Sequence, residues 1–237
     1  IMGIIVGRKP IVENGLVFCV DVLSKDSYIG SGTTINDIVG SFDGTSVPSG
    51  TLTNSSISTS PTPHMLFDGS GYLQLSGHRP TTLHTNSNTL EIWFQNNTGG
   101  GYEGIFSEGV PYQVYAVNNK IEAYLRKPGE SGGSYFISGA TTNTIGSDTA
   151  WTFVSLVRDV TEFKYFINGV LDKTITGITA TDVVESSTGR QDTLIGTYAT
   201  SQFRYTGGVG PVRQYNRALS ADDILKNFNA QKERFGL

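Results

Sequence analysis

A single cysteine among 237 residues leaves no internal disulfide to hold this chain together. Cys19 lies in the apolar run Leu16-Val17-Phe18-Cys19-Val20, where a lone thiol behaves as a small buried hydrophobe. A chain of this length buries most of its apolar surface and needs no bridge, so the missing pairs say nothing about compartment. Charge is scarce too, at 16% of residues against roughly 25% in ordinary soluble domains. The net charge of −4 comes without a Lys/Arg stripe, which argues against a nucleic-acid partner. Long apolar runs are lacking. The opening Ile1-Met2-Gly3-Ile4-Ile5-Val6 is far too short to span a bilayer and lacks the basic start and small-residue cleavage site of a signal peptide. The expectation is a chain with no membrane insertion, no transmembrane segment and no signal peptide. If it works outside a cell, it arrives there by another route.

What replaces charge is Gly, with 29 copies, together with Ser, Thr and Asn, and 12 Phe and 11 Tyr. The first group suits turns and exposed strands and the second suits half-buried pleated surfaces. From about residue 16 to 215 the pattern predicts short strands, most firmly over 72–75, 89–95, 112–117, 121–126, 151–158 and 163–168. Asn118-Asn119 and Asn168-Gly169 mark two hairpins, since these residues tolerate the positive φ values of tight strand-joining turns. Residues 44–63, 96–104, 127–134 and 139–149, rich in Ser, Thr, Gly and Pro, read as long loops of one domain. A single helix is expected over 220–234. Ser220 and Asp223 form a capping box, Leu219 and Ile224 a hydrophobic staple, and Ile224, Leu225 and Phe228 a docking face. Lys232 and Arg234 suit its last turn, and Gly236 ends it. The organisation predicted is an N-terminal arm, 1–13, and one domain, 14–237.

Several fragments resemble laminin-G-like, concanavalin A-like jelly rolls. Phe67-Asp68-Gly69-Ser70-Gly71-Tyr72-Leu73 is similar to one strand opening of that family, and Thr89-Leu90-Glu91-Ile92-Trp93-Phe94 to another strand. The segment 151–157 followed by Tyr165-Phe166-Ile167-Asn168-Gly169-Val170 resembles a family hairpin. Leu194-Ile195-Gly196 and 207–220 resemble its closing strands and helix. The resemblance runs from about residue 14 to 235 and implies an all-β, two-sheet antiparallel jelly-roll sandwich with one short C-terminal α-helix. Gly15-Leu16-Val17-Phe18-Cys19-Val20-Asp21 and residues 229–237 also resemble forms found in structural proteins of tailed bacteriophages.

The glucanases of this fold carry paired carboxylates on one strand face. Here Glu91 is followed on its face by Trp93 and Gln95, so Glu91 is expected to be structural and its replacement by Gln nearly neutral. His64, His78 and His84 lack zinc-site spacing, no Gly-x-Ser-x-Gly elbow occurs, and Gly99-Gly100-Gly101 lacks the Lys of a phosphate loop. No enzymatic activity and no cofactor are expected. The resemblance brings calcium into view, for which Asp68, Asp192 and Asp21 offer oxygens. Asp68 also suits the simpler role of anchoring its Asp-Gly turn. For sugar contact the candidates are Tyr102, Tyr112 and Tyr124, with Tyr115 and Tyr135, near Asn96, Asn97 and Asn118, although strand preference alone accounts for tyrosines too. Asn54 and Asn96 open glycosylation sequons, a pattern frequent by chance here.

The function expected is that of a bacteriophage virion structural protein on the particle surface. It would decorate the capsid or sit on the tail, contacting other virion proteins in an oligomeric assembly and binding host-surface glycans weakly. A soluble carbohydrate-binding lectin-like domain of cellular origin is the alternative, and a glycoside hydrolase the third reading. Ile4, Ile5 and Val6 are the attachment candidates, because an apolar β-prone segment cut off by Pro10 invites a partner strand. Pairing with the domain's own sheet is the other reading of that arm.

Overall fold

The two asparagine turns set the register of their hairpins. Asn118 and Asn119 take φ of 49° and 56°, and Asn168 and Gly169 take 50° and 80°, the left-handed pair that matches strand twist. The computed structural model describes residues 10–40, 42–47, 57–58, 62–75, 87–95, 101–108, 112–126, 135–145, 150–179, 192–198 and 203–237, with backbone alone at 47, 57, 58, 126 and 135–138.

The strands run in chain order as β1 (Leu16–Val20), β2 (Thr34–Ile35), β3 (Gly44–Val47), β4 (Ile57–Ser58), β5 (His64–Asp68), β6 (Tyr72–Leu75), β7 (Ser87–Gln95) and β8 (Glu103–Ser107). They continue as β9 (Tyr112–Val117), β10 (Lys120–Arg126), β11 (Tyr135–Ala140), β12 (Trp151–Asp159), β13 (Glu162–Ile167), β14 (Val170–Ile175), β15 (Thr193–Ile195) and β16 (Thr206–Tyr215). One sheet has the order β14-β13-β12-β7-β16-β5-β4, with β1 paired to β16, and the other β11-β10-β9-β8-β15-β6-β3-β2. All pairings are antiparallel. The expected two-sheet sandwich is the fold. Three loop assignments are corrected: 44–63 contains β3 and β4, β8 begins inside 96–104, and β11 reaches into 139–149. Ser- and Thr-rich edges satisfy a ladder without an apolar face to advertise it.

Between the sheets lies the main core. Leu90, Ile92 and Phe94 of β7, Val154 and Leu156 of β12, and Phe163 and Tyr165 of β13 meet Val114, Ala116, Ile121 and Leu125 of the other sheet. The alternate residues of β7 and β12 face outward, yet not to water. Trp93, Phe153, Val157 and Phe166 form a second core with Ile224, Leu219 and Phe235. That cover is α1 (Ala221–Gln231) and the 3-10 turn Lys232–Phe235 that follows it. Trp93 stacks on Phe235 with centroids 4.1 Å apart and on Phe228 at 5.8 Å. Each large side chain sealed there contributes about 1.5–3 kcal/mol.

The helix forms where its cap predicts. The Asp223 amide donates to Ser220 Oγ at 3.1 Å and the Ser220 amide to Asp223 Oδ2 at 3.3 Å. Gly236 closes the 3-10 turn in the left-handed region. The docking face differs from expectation: Leu225 is 43% exposed and Asn227 is buried in its place. A polar residue turns inward because a buried carboxylate awaits it there. Arg234 reaches across to Asp21 through two contacts of 2.9 and 2.8 Å.

Ile4, Ile5 and Val6 lie outside the described residues. Val12, assigned to the arm from sequence, is buried in the second core. Its amide donates to Asn227 Oδ1 at 2.7 Å, and its carbonyl accepts from the Tyr215 hydroxyl at 3.1 Å. The chain is therefore tied to the domain from Val12 onward. No helix among the described residues is long and apolar enough to cross a membrane.

Candidate functional site

Strand alternation decides which candidates reach solvent. On β9, Tyr112, Val114 and Ala116 point into the main core, so Gln113 and Tyr115 take the outer face. On β10, Ile121, Ala123 and Leu125 point inward, which turns Glu122 and Tyr124 outward. The register sets Tyr115 opposite Glu122 and Gln113 opposite Tyr124. Tyr112, a candidate glycan contact by sequence, is thus corrected to a core residue. It is fully buried, and burial pushes its hydroxyl well above the ordinary phenol range.

The outer face gathers the other tyrosines. Tyr115 is the hub, with ring centroids 5.5 Å from Tyr102, 5.7 Å from Tyr124, 5.6 Å from Tyr198 and 6.0 Å from Phe203. The rings of Tyr102, Tyr124 and Phe203 stand at 89°, 81° and 88° to it, the edge-to-face arrangement aromatic quadrupoles favour. These five rings and Gln113 line a shallow cavity of about 250 Å3. Tyr115 lies at its floor, while Tyr102 and Phe203 are 44% and 43% exposed.

Polar atoms fix the rings. The Tyr115 hydroxyl donates to Gln113 Oε1 at 2.8 Å and the Tyr124 hydroxyl to Glu122 Oε2 at 2.6 Å. Burial, the bond to Glu122 and a bond with Tyr102 all raise the Tyr124 hydroxyl above the usual range.

Tyr198 and Phe203 come from the segment that crosses β8, and sequence reasoning missed both. The crossing needs Gly104, whose missing Cβ would lie 2.2 Å from the Tyr198 amide nitrogen and 2.6 Å from the Thr197 carbonyl carbon. The Gly104 amide donates to the Phe203 carbonyl at 2.7 Å. Phe203 itself takes φ of 53°, a conformation bulky residues rarely adopt and one that costs on the order of 1–3 kcal/mol. Neither its neighbours nor a strand pattern could have signalled it, because only the crossing brings it to Tyr115.

The remaining candidates are not gathered. Asp68 Oδ1 accepts from the amide and hydroxyl of Ser70 at 2.8 and 2.5 Å, Asp192 accepts from Gln74, and Asp21 pairs with Arg234. Among the described residues no group of three His, Cys, Asp or Glu is placed to hold a metal ion. His64 is buried, with Nδ1 2.6 Å from the Thr62 carbonyl. His78, His84, Asn54, Asn96, Asn97 and the Tyr135 side chain lie outside the described set. Glu91 is completely buried, held by Asn227, Arg213 and Ser155, and cannot touch a substrate. A larger cleft of about 550 Å3 runs past Cys19, Asp21 and Arg213 beside the helix. Its two buried charges are already paired, Arg213 with Glu91 and Asp21 with Arg234. Burial holds the Cys19 thiol up at about 11, so it is no ready nucleophile.

The family model described as the concanavalin A-like lectin/glucanases superfamily, of laminin G type, matches residues 67–225. Comparison with curated proteins finds no match. Among solved structures, Trypanosoma rangeli sialidase in complex with the inhibitor DANA is similar with a TM-score of 0.63 and 14% identity, over 96% of this chain and 36% of that one. Domain 4 of AbnA, a GH43 extracellular arabinanase from Geobacillus stearothermophilus in complex with arabinotriose, gives 0.60 and 18%, over 91% and 99%. The botulinum neurotoxin serotype D binding domain gives 0.66 and 14%, over 92% and 51%. At these identities the likeness is one of fold, and this chain spans only part of the sialidase and of the neurotoxin domain.

Proposed function

The chain belongs to the concanavalin A-like lectin/glucanase superfamily, and from that premise we propose that it is a carbohydrate-binding module whose ligand sits on the Tyr115 cluster. The observation that carries this reading is the five-ring seat with Phe203 exposed on a left-handed backbone. Aromatic rings take the apolar face of a sugar, while Gln113, Glu122 and the tyrosine hydroxyls meet its hydroxyl groups. The arabinotriose complex of the similar arabinanase domain fits the same reading. The module binds without hydrolysing, since Glu91, the glucanase-strand carboxylate by resemblance, is sealed beneath the helix.

The setting we propose is the surface of a bacteriophage particle, on capsid or tail, within an assembly of virion proteins. What supports it is the resemblance of residues 15–21 and 229–237 to phage structural proteins. Glycan-array screening followed by titration calorimetry tests the binding. Tyr102→Ala and Phe203→Ala should each weaken it at least several-fold with the melting temperature held. An array without any hit would end the carbohydrate reading, and immunogold labelling of purified particles tests the setting separately.

A further inference from the structure

We infer that the seat sorts glycans by charge, taking chains with protonated amino groups ahead of neutral chains and neutral chains ahead of acidic ones. This rests on the carbohydrate-binding reading and adds the class of sugar. Three observations carry it.

First, the rings stand at steep angles around Tyr115, so they form a concavity and not one flat platform. A concavity of π-faces suits a compact cation, which the negative face of each ring attracts. Second, a carboxylate stands beside the seat. Glu122 faces Tyr115 directly across the β9–β10 ladder and accepts from the Tyr124 hydroxyl at 2.6 Å. Spending that hydroxyl's proton on Glu122 leaves the rim rich in acceptors. It therefore welcomes N–H and O–H donors and disfavours another carboxylate. Third, no described cation lines the cavity. Lys120 Nζ is turned to the carbonyls of Thr141 and Thr142 at 3.2 and 3.0 Å. Arg204 lies over the Tyr72 ring at 5.5 Å.

The experiment uses the whole chain and three oligosaccharides of matched length: a fully N-acetylated chito-oligosaccharide, its fully de-N-acetylated form, and an oligouronate. Titration calorimetry in mildly acidic buffer keeps the free amines protonated. The amino form should bind roughly two- to fivefold tighter than the acetylated one, the advantage of an exposed cation on an aromatic face. The oligouronate should bind weakest. The preference should shrink in Glu122→Gln and as salt is raised. Equal affinities, or a tighter acetylated or acidic chain, would overturn the inference and leave carbohydrate binding standing. An amino preference unmoved by both Glu122→Gln and salt would overturn it too. If no chain binds here or on a glycan array, it is the carbohydrate reading that fails.

Discussion

Asn227 of the C-terminal helix sets its side-chain amide 3.0 and 3.1 Å from the two carboxylate oxygens of Glu91, 136 residues earlier on β7. The same side chain takes the Val12 amide on its oxygen and bonds the Tyr215 hydroxyl at 3.0 Å. One residue thereby joins the chain's first described segment, the sheet and the helix.

Glu91→Gln is therefore expected to destabilise the fold, although the sequence alone suggests a nearly neutral change. Burial pushes the Glu91 carboxyl above its ordinary range, opposed by Arg213 and the hydrogen bonds it accepts. Without the carboxylate, Arg213, 1% exposed, loses its partner at 3.5 Å, and a stranded buried charge costs roughly 3 kcal/mol or more. Urea unfolding measures the loss, and adding Arg213→Met should return part of it. A single variant as stable as the parent would show that the pair contributes nothing.

Removing residues 220–237 uncovers Trp93, Phe153 and Phe166 on the outer face of the first sheet. Each loses about 1.5–3 kcal/mol of burial, a large share of a domain's net stability. The truncated chain should melt far lower or aggregate. An unchanged melting temperature would mean the helix is not part of the folding unit.

His64 makes the fold sensitive to mild acid. Burial lowers its pKa, with Arg234 adding to the effect against the raising bond to Thr62. Above about pH 6.5 the imidazole is neutral in both folded and unfolded chains and adds no pH dependence. Below it the unfolded chain takes up a proton the folded one resists, so stability falls with pH down to the folded pKa. Melting temperature recorded across that range should decline, and His64→Phe, which keeps a ring against Trp151, should flatten the curve. Parallel curves would assign the decline to other groups.

The sandwich was legible because β7, β9 and β12 are runs rich in β-branched and aromatic residues and two asparagine turns fix hairpins, while the capping box placed the start of the helix within a residue. Short strands β3 and β4 were hidden because polar residues such as Thr45 and Ser58 look like loop. The binding seat was half legible. Tyr102 and Tyr124 could be nominated as strand-rich aromatics, but parity alone separates Tyr112 from Tyr115, and parity is unknown until the core face is. Tyr198 and Phe203 arrive through a chain crossing, a property of tertiary structure that no local pattern encodes.

That crossing offers the sharpest separation of stability from function. Phe203 stores strain at φ of 53°, and its ring is 43% exposed while packing on Tyr102, Tyr115 and Tyr198. Phe203→Gly removes the steric conflict at that φ and sheds a ligand-facing ring. The expected result is little net change in stability, because relief of the strain is offset by the lost ring contacts with Tyr102, Tyr115 and Tyr198 and by the added freedom of Gly in the unfolded chain, with glycan affinity down several-fold. Gly104→Ala attacks the same segment from below. Its new methyl would meet backbone atoms at 2.2 and 2.6 Å, which cannot swing aside like a side chain, so the crossing must lift and carry Tyr198 and Phe203 away from Tyr115. Here both stability and affinity should fall. Melting curves paired with glycan titrations on the two variants distinguish the outcomes. If Phe203→Gly binds as tightly as the parent, the strained ring is not a ligand contact, and the seat must be redrawn around Tyr102 and Tyr124.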